Sequence, residues 1–347
     1  MSPCEKFEIK VENDDLEKRA NNLTKGITNS ILAALIIPLF LFSTQGIAQE
    51  TDFEEGKRLR KSGIKSTIIV ANPSNKSFNA IIDNQLDIVI HNNDLLEYYI
   101  SKKTSINVHV KFNTGMNRYG FNPDDVRPVG LALKKNSFLR VKSICSHLSC
   151  SEDLYKKDLT KKQIHLFKEL CDDFQNIIGE KIKRHILNSN GLINYAEDQL
   201  DMVRIGIALF GSAADKNLCP ISSLSSVISE NRDINIGDSI GYGSAFTANK
   251  KMNISIVPVG YADGLNRRLG NYRGEVIISN QACPIIGNIS MDSFIVDTSN
   301  IDCKIGDRVE IFGQKNSVIT LSKKLETIPY EIYATINRRI KRVYFDN

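Results

Sequence analysis

The sequence has no C-x-x-C pair, no His/Cys ligand spacing and no even complement of cysteines; its seven Cys are scattered. This argues against a disulfide framework and a structural zinc site, and makes a reducing cytoplasm the simplest compartment. It also lacks a basic cluster: 45 Lys+Arg against 40 Asp+Glu leave a net charge of +5 spread along the chain. Nucleic-acid binding therefore has little electrostatic support, while a small anionic ligand is compatible. No apolar run is long enough to span a bilayer, and neither an internal repeat nor a low-complexity linker is present.

What is present is ordinary globular composition, 41% apolar and 24% charged, which disfavours disorder, collagen-like repeats and coiled coil. At roughly 150 residues per domain, 347 residues predict about two domains, or one large barrel with an appendage. The run Ile31 to Phe42, followed by Ser43 to Ala48, is similar to the apolar part of an export signal. The preceding stretch is long and acidic (Glu5, Glu8, Glu12, Asp14, Asp15, Glu17), unlike a short basic leader. The run is therefore read as a buried helix passing into a barrel strand, with Pro38 at the break. An exported form, with a mature terminus near Gln49, is the alternative.

From about Glu8 to Ser222, short β-branched runs alternate with amphipathic charged stretches. Strands are predicted at 66–71, 86–91, 107–112, 140–143, 185–187 and 202–208, with a helix over 161–177. Such alternation suits a parallel (β/α)8 TIM-like barrel over residues 1–222, with an atypical, shortened N-terminus over 1–45. Beyond Ser223 short strands separated by Gly and Asn turns (254–259, 275–279, 293–297, 308–312) predict a mainly β domain over 223–347.

Several motifs sit at predicted strand ends, where barrel enzymes collect their catalytic groups. Lys111 to Gly120 contains Arg118, whose planar fork suits a carboxylate. His147 follows the strand ending near Ser143, and Asn188-Ser189 and Arg204-Ile205-Gly206-Ile207 form corners where a hydroxyl and backbone N–H groups can surround a phosphate. Each has a bland reading alone: a surface salt bridge for Arg118, a structural imidazole for His147, turns for the corners and a packing ring for Tyr261. In the β domain Tyr261 lies between Gly260 and Gly264, and Ser290-Met291-Asp292 leads into a strand.

Taken in order, Lys111 to Gly120, Ser146-His147-Leu148, Asn188-Ser189, Arg204 to Ile207, Gly241-Tyr-Gly243, Gly260 to Gly264, Ser290-Met291-Asp292, Gly306-Asp307 and Pro329-Tyr330-Glu331 resemble the alanine racemases from about Gly46 to Tyr344. The resemblance implies an isomerase that interconverts L- and D-alanine on pyridoxal 5'-phosphate by two-base proton transfer, supplies D-alanine for bacterial peptidoglycan, and works as a cytoplasmic head-to-tail homodimer. By resemblance, Tyr261 from the partner subunit is one base. Arg204 faces the pyridine nitrogen and His147 packs against the ring. Ser189, the N–H groups of Gly206 and Ile207, and Tyr330 hold the phosphate, and Arg118 with the N–H of Met291 meets the substrate carboxylate. In many relatives the position of Lys111 carries a carbamate that orients the Arg. No metal is implied.

The chain departs from the family in one segment. The family's second base is the lysine that binds the cofactor covalently at the end of the first barrel strand, in a K-A-N-A-Y-G-H-G type segment that is missing. Counting back from Glu54-Glu55-Gly56 places Lys25 roughly there, although its neighbours share nothing else with the motif. Asn113 stands where Asp is usual, and Asn288 where Arg is common. The leading reading is an alanine racemase. The alternative is a racemase-like barrel that binds pyridoxal phosphate or phosphate ligands without turnover. Amino-acid decarboxylases of similar barrel fold fit the Tyr261 and Met291 motifs less well.

Overall fold

The computed structural model describes residues 8–12, 31–34, 47–50, 52–213, 215 and 218–345. It divides into two compact units, Ala20–Ala208 and Met1–Arg19 with Leu209–Asn347. In chain order the first strands are β1 Glu8–Glu12, β2 Ile31–Ala34, β3 Ile47–Glu50, β4 Ile68–Val70, β5 Asp87–Ile90, β6 Ile106–Lys111, β7 Leu139–Cys145, β8 Lys183–His185 and β9 Val203–Ile205. Strands β2 to β9 form one eight-stranded sheet in the order β8-β7-β6-β5-β4-β3-β2-β9, and every pairing within it is parallel. Hydrogen bonds from Met202 N to Arg184 O (3.3 Å) and Arg204 N to Leu187 O (3.0 Å) join its two ends. The predicted α/β barrel is thus the architecture of the first unit.

Parallel strands covered on both faces are apolar throughout, as in β4, where Ile68, Ile69 and Val70 are all buried. The helix Lys157–Ile178 covers one flank with Thr160, Gln163, Ile164, Phe167, Leu170, Cys171 and Phe174 inward, the spacing of a single helical stripe. Gly179 ends it in the left-handed region (φ 89°). Phe174 packs edge-on against Phe112 at 5.6 Å, just past β6. At Gly130, in the helix Val126–Lys135, a Cβ would lie 2.9 Å from Ile177 Cγ2, so only glycine lets the two helices approach this closely.

The strands predicted in the barrel all start within two residues of their expected starts; the one expected at 185–187 lies at Lys183–His185. The apolar run Ile31 to Phe42 is a correction: its start, Ile31–Ala34, is strand β2 rather than helix, and its remainder, with Pro38, lies outside the described residues. A short uncharged run carries no periodicity to separate the two states, and the place between β9 and β3 admits only an extended segment.

The second unit contains β10 Ser222–Val227, β11 Glu230–Ile234, β12 Ser239–Ile240, β13 Phe246–Thr247, β14 Met252–Val257, β15 Glu275–Ile278, β16 Gln281–Ile286, β17 Phe294–Asp297, β18 Arg308–Phe312 and β19 Arg342–Phe345. Nine strands form a mixed, mostly antiparallel sheet in the order β11-β14-β17-β16-β15-β18-β10-β1-β19, with β12-β13 as a separate hairpin. Alternating burial in β15 and β17 places Val276, Ile278, Phe294 and Val296 in its core. The chain's first strand, β1, lies in this sheet, antiparallel to β10 and parallel to β19. Among the described residues no helix is long and apolar enough to cross a membrane.

Replacing fully buried Phe174 with Ala is expected to remove about 3–5 kcal/mol of stability, through lost transfer energy and a residual cavity. A urea midpoint shifted by less than about 1 kcal/mol would show that the helix Lys157–Ile178 does not anchor the barrel.

Candidate functional site

The barrel's C-terminal strand ends carry the motif residues of the first unit. Lys111 is the last residue of β6. The loop after it is folded by Asn113, whose Oδ1 accepts from Gly115 N (3.1 Å) and Asn117 N (3.0 Å). Gly120 closes that loop at φ 129°, where a Cβ would stand 2.5 Å from Asn113 N. Thr114 Oγ1 and Ser146 Oγ, 2.8 Å apart, tie the loop to the end of β7. Arg118 is exposed, and no described carboxylate pairs with it.

Arg204, in β9, is 6% exposed and is surrounded by neutral acceptors. Nη1 donates to His185 Nδ1 (2.5 Å) and His185 O (3.3 Å). Nη2 donates to Ser146 O (2.6 Å), Ile186 O (3.0 Å) and His147 Nδ1 (3.1 Å). Among the described residues Nε–H has no partner and no carboxylate approaches the guanidinium. His185, at the end of β8, is absent from the sequence reading; the signal for it is a lone histidine closing a strand beside a phosphate-type corner.

Charge in this region has one sign. Burial, then Arg204, Lys111 and Arg118, hold the His147 imidazole well below its ordinary pKa. His185 is held well below by burial, then by Arg204, His109 and Lys111. Burial lowers Lys111; Cys145 opposes this, and the nearby Arg204 and Arg118 lower it further. Burial and Lys111 lower His91, whose ring lies 4.7 Å from that of Tyr119.

Ser189 begins the turn after β8 and is buried. Its Oγ accepts from Gly206 N (2.9 Å) and Ala208 N (3.4 Å), so its own proton is left to donate. Ile207 is buried next to Gly206. These groups fit pyridoxal phosphate on their chemistry. An unpaired Nε–H on a permanent cation suits a neutral ring nitrogen that can only accept. A hydroxyl donor with backbone N–H groups, in a field without carboxylates, suits a phosphate dianion. A covalent lysine is not among the described residues of this site. No Lys occurs from Ile31 to Gly56, which spans β2 and everything directly after it; Lys25 precedes β2 and lies outside the described residues.

In the second unit, Tyr261 and Met291 are brought together. Tyr261 N donates to Ser290 O and Ala262 N to Met291 O, both at 3.1 Å. A Cβ on Gly260 would stand 2.1 Å from Met291 O, so the loops touch only because residue 260 is glycine. Both side chains remain largely exposed, at 46% and 54%. Asp263, 1% exposed, accepts from Gly260 N (2.9 Å) and Arg339 Nε (2.6 Å). Arg339 Nη2 also donates to Asp292 Oδ1 (2.9 Å). Arg339 thus clamps the Tyr261 loop to the Met291 loop, a role that a lone Arg near the chain end gives no signal for. Tyr330 opens the helix Pro329–Thr335 and is 38% exposed.

Comparison with known proteins agrees with this geometry. Residues 43–214 match the model of the alanine racemase N-terminal domain, and 221–344 that of the alanine racemase C-terminal domain. The alanine racemase of Helicobacter pylori (strain Shi470) is 33% identical over 314 residues, covering 84% of this chain and 82% of that protein. That of Vesicomyosocius okutanii is 30% identical over 296 residues, with the same coverage. Among solved structures, the alanine racemase of Clostridium difficile 630 superposes with a TM-score of 0.88 at 26% identity, covering 98% of this chain and 96% of that one. The alanine racemase of Bartonella henselae, described with covalently bound pyridoxal phosphate, gives 0.88 at 23% identity, with 98% and 99% coverage.

The depressed imidazoles predict acid sensitivity. A histidine held neutral in the fold binds fewer protons than in the unfolded chain. Its contribution is therefore complete above about pH 6.5, the unfolded value, and is lost progressively as pH falls from about 7 to 5. The urea midpoint is expected to drop over that interval, and His147→Gln is expected to reduce the drop by one imidazole's share. An unchanged drop would mean that His147 titrates normally.

Proposed function

The chain belongs to the alanine racemase family, and we propose that it interconverts L- and D-alanine with pyridoxal 5'-phosphate held at the barrel's strand ends, as a cytoplasmic homodimer supplying D-alanine for peptidoglycan. The observation that carries the cofactor assignment is the buried Arg204, donating to neutral acceptors with Nε–H left over. When bound, pyridoxal phosphate supplies an electron sink that stabilises negative charge left at the alanine Cα. Arg204 donates to the ring nitrogen without surrendering a proton, which limits how much charge the ring absorbs and restrains side reactions. His147, neutral and oriented by Arg204, packs against the ring.

The Ser189 hydroxyl, itself held by the Gly206 N–H, grips the phosphate together with the Ile207 N–H, joined by Tyr330. Arg118 and the Met291 N–H receive the substrate carboxylate. The exposed Tyr261 hydroxyl moves the proton on one face of Cα, presented to the other subunit's barrel by the loop that Arg339 clamps. The pyridoxal phosphate bound covalently in the Bartonella henselae enzyme supports the cofactor reading.

The test follows deuterium uptake at Cα of L- and D-alanine in D2O, together with borohydride reduction of the protein with pyridoxal phosphate and mapping of pyridoxyl-lysine. Exchange from both enantiomers is expected, and a label on Lys25 suppressed by alanine would identify it as the second base. Tyr261→Phe is expected to lower kcat about 10²–10⁴-fold for one direction of exchange while leaving cofactor affinity unchanged. Cofactor binding without label or exchange would favour a barrel that binds without turnover, the reading suggested by the lysine-free stretch from Ile31 to Gly56.

A further inference from the structure

Among the described residues Arg204 has no carboxylate neighbour, yet a carboxylate ends the hydrogen-bond chain that starts on it. From Arg204 Nη1 the chain passes to His185 Nδ1 (2.5 Å), then from His185 Nε2 to Ser143 Oγ (3.0 Å). It continues from Ser143 Oγ to His109 Nδ1 (2.6 Å) and from His109 Nε2 to Asp87 Oδ2 (3.3 Å). Each of β9, β8, β7, β6 and β5 contributes one side chain, and none of the five is more than 7% exposed. At the far end Asn107 Nδ2 donates to Asp87 Oδ1 (3.0 Å), and Arg140 Nε to Asn107 Oδ1 (3.2 Å).

With both imidazoles neutral, the two ends fix every proton between them. A guanidinium only donates, so His185 Nδ1 is bare and its proton sits on Nε2, facing Ser143. Ser143 accepts it and turns its own proton to His109 Nδ1. His109 therefore carries its proton on Nε2 and gives it to Asp87, which as a carboxylate only accepts. All bonds point from cation to anion, the arrangement in which successive hydrogen bonds polarise one another favourably. With both imidazoles neutral, no other assignment satisfies both ends.

We propose that Asp87, His109 and Ser143 are positioning residues that act on the reaction through His185: the relay locks His185 as an acceptor, and so holds Arg204 in place with its charge balanced across the barrel. Cutting the chain leaves buried donors or acceptors unpaired and frees His185 to carry a proton on Nδ1, facing the Arg204 N–H. The catalytic half of this proposal rests on the racemase reading; the relay itself does not.

The first experiment is imidazole 15N NMR of the ligand-free, histidine-labelled protein at neutral pH. Both His109 and His185 are expected as the Nε2–H tautomer. A protonated Nδ1 on either ring overturns the proposal whatever the enzyme does, and this result needs no variant to fold. The second is a double-mutant cycle on pyridoxal phosphate affinity with Asp87→Ala and Ser143→Ala. Each is expected to weaken binding roughly tenfold, and the double variant no more than either, because both cut one chain. Asp87→Asn, which keeps an acceptor for His109, is expected to recover most of the affinity. Additive losses, or no recovery, sink the relay. Wild-type tautomers as expected without alanine exchange would leave the relay standing and overturn the racemase reading instead.

Discussion

A guanidinium buried without a carboxylate is the constraint on which the barrel site depends. Taking a cation out of water costs several kcal/mol unless fixed dipoles replace the lost hydration. Around Arg204 those dipoles are the carbonyls of Ser146, His185 and Ile186 and the bare nitrogens of His147 and His185. Each demand passes to the next residue. Two imidazoles must stay neutral, one must present Nδ1, and its Nε2–H must find an acceptor inside the barrel. Polar side chains on five adjacent strands meet that demand, which explains why a core built from Ile and Val admits Asp87, His109 and Ser143.

The second unit solves the opposite problem. There the buried group is a carboxylate, Asp263, and the cation that pairs with it, Arg339, is substantially exposed. A backbone N–H and a guanidinium satisfy the carboxylate, and the same guanidinium reaches Asp292, so one ion cluster fixes two loops. What it fixes is a tyrosine whose hydroxyl stands outside the core. Packing a ring of this size normally buries it; leaving Tyr261 exposed forfeits that stabilisation, which makes sense where the ring must meet something beyond its own unit.

Strand ends were legible because they carry function and punctuation together: Gly120, Gly206, Gly260 and the residues beside them are backbone requirements as well as motif letters. The β-branched runs of the barrel were legible for the same reason that parallel strands are apolar. Strands β10 (SSLSSV) and β11 (ENRDI) were not, since their composition lacks the apolar alternation that marks a strand. Pairing of β1 with β19 is a contact between the chain's two ends that no local pattern encodes. The relay escaped notice because a single His or Ser inside a strand is uninformative until the neighbouring strand's register is known.

Fold and chemistry part company at β2. A strand in that place needs only to be extended and apolar on both faces, and Ile31–Ala34 meets the requirement without the lysine that the family sets at the strand's end. Nothing in the barrel's packing penalises its absence from that place, because the lysine serves the cofactor and not the core. Arg204, Ser189, Gly206 and their supports answer to packing and to hydrogen-bond balance as well as to function, so they persist together. The covalent lysine answers to chemistry alone, which is why the one segment where this sequence leaves its family is also the one that the structure can change without disturbing the rest.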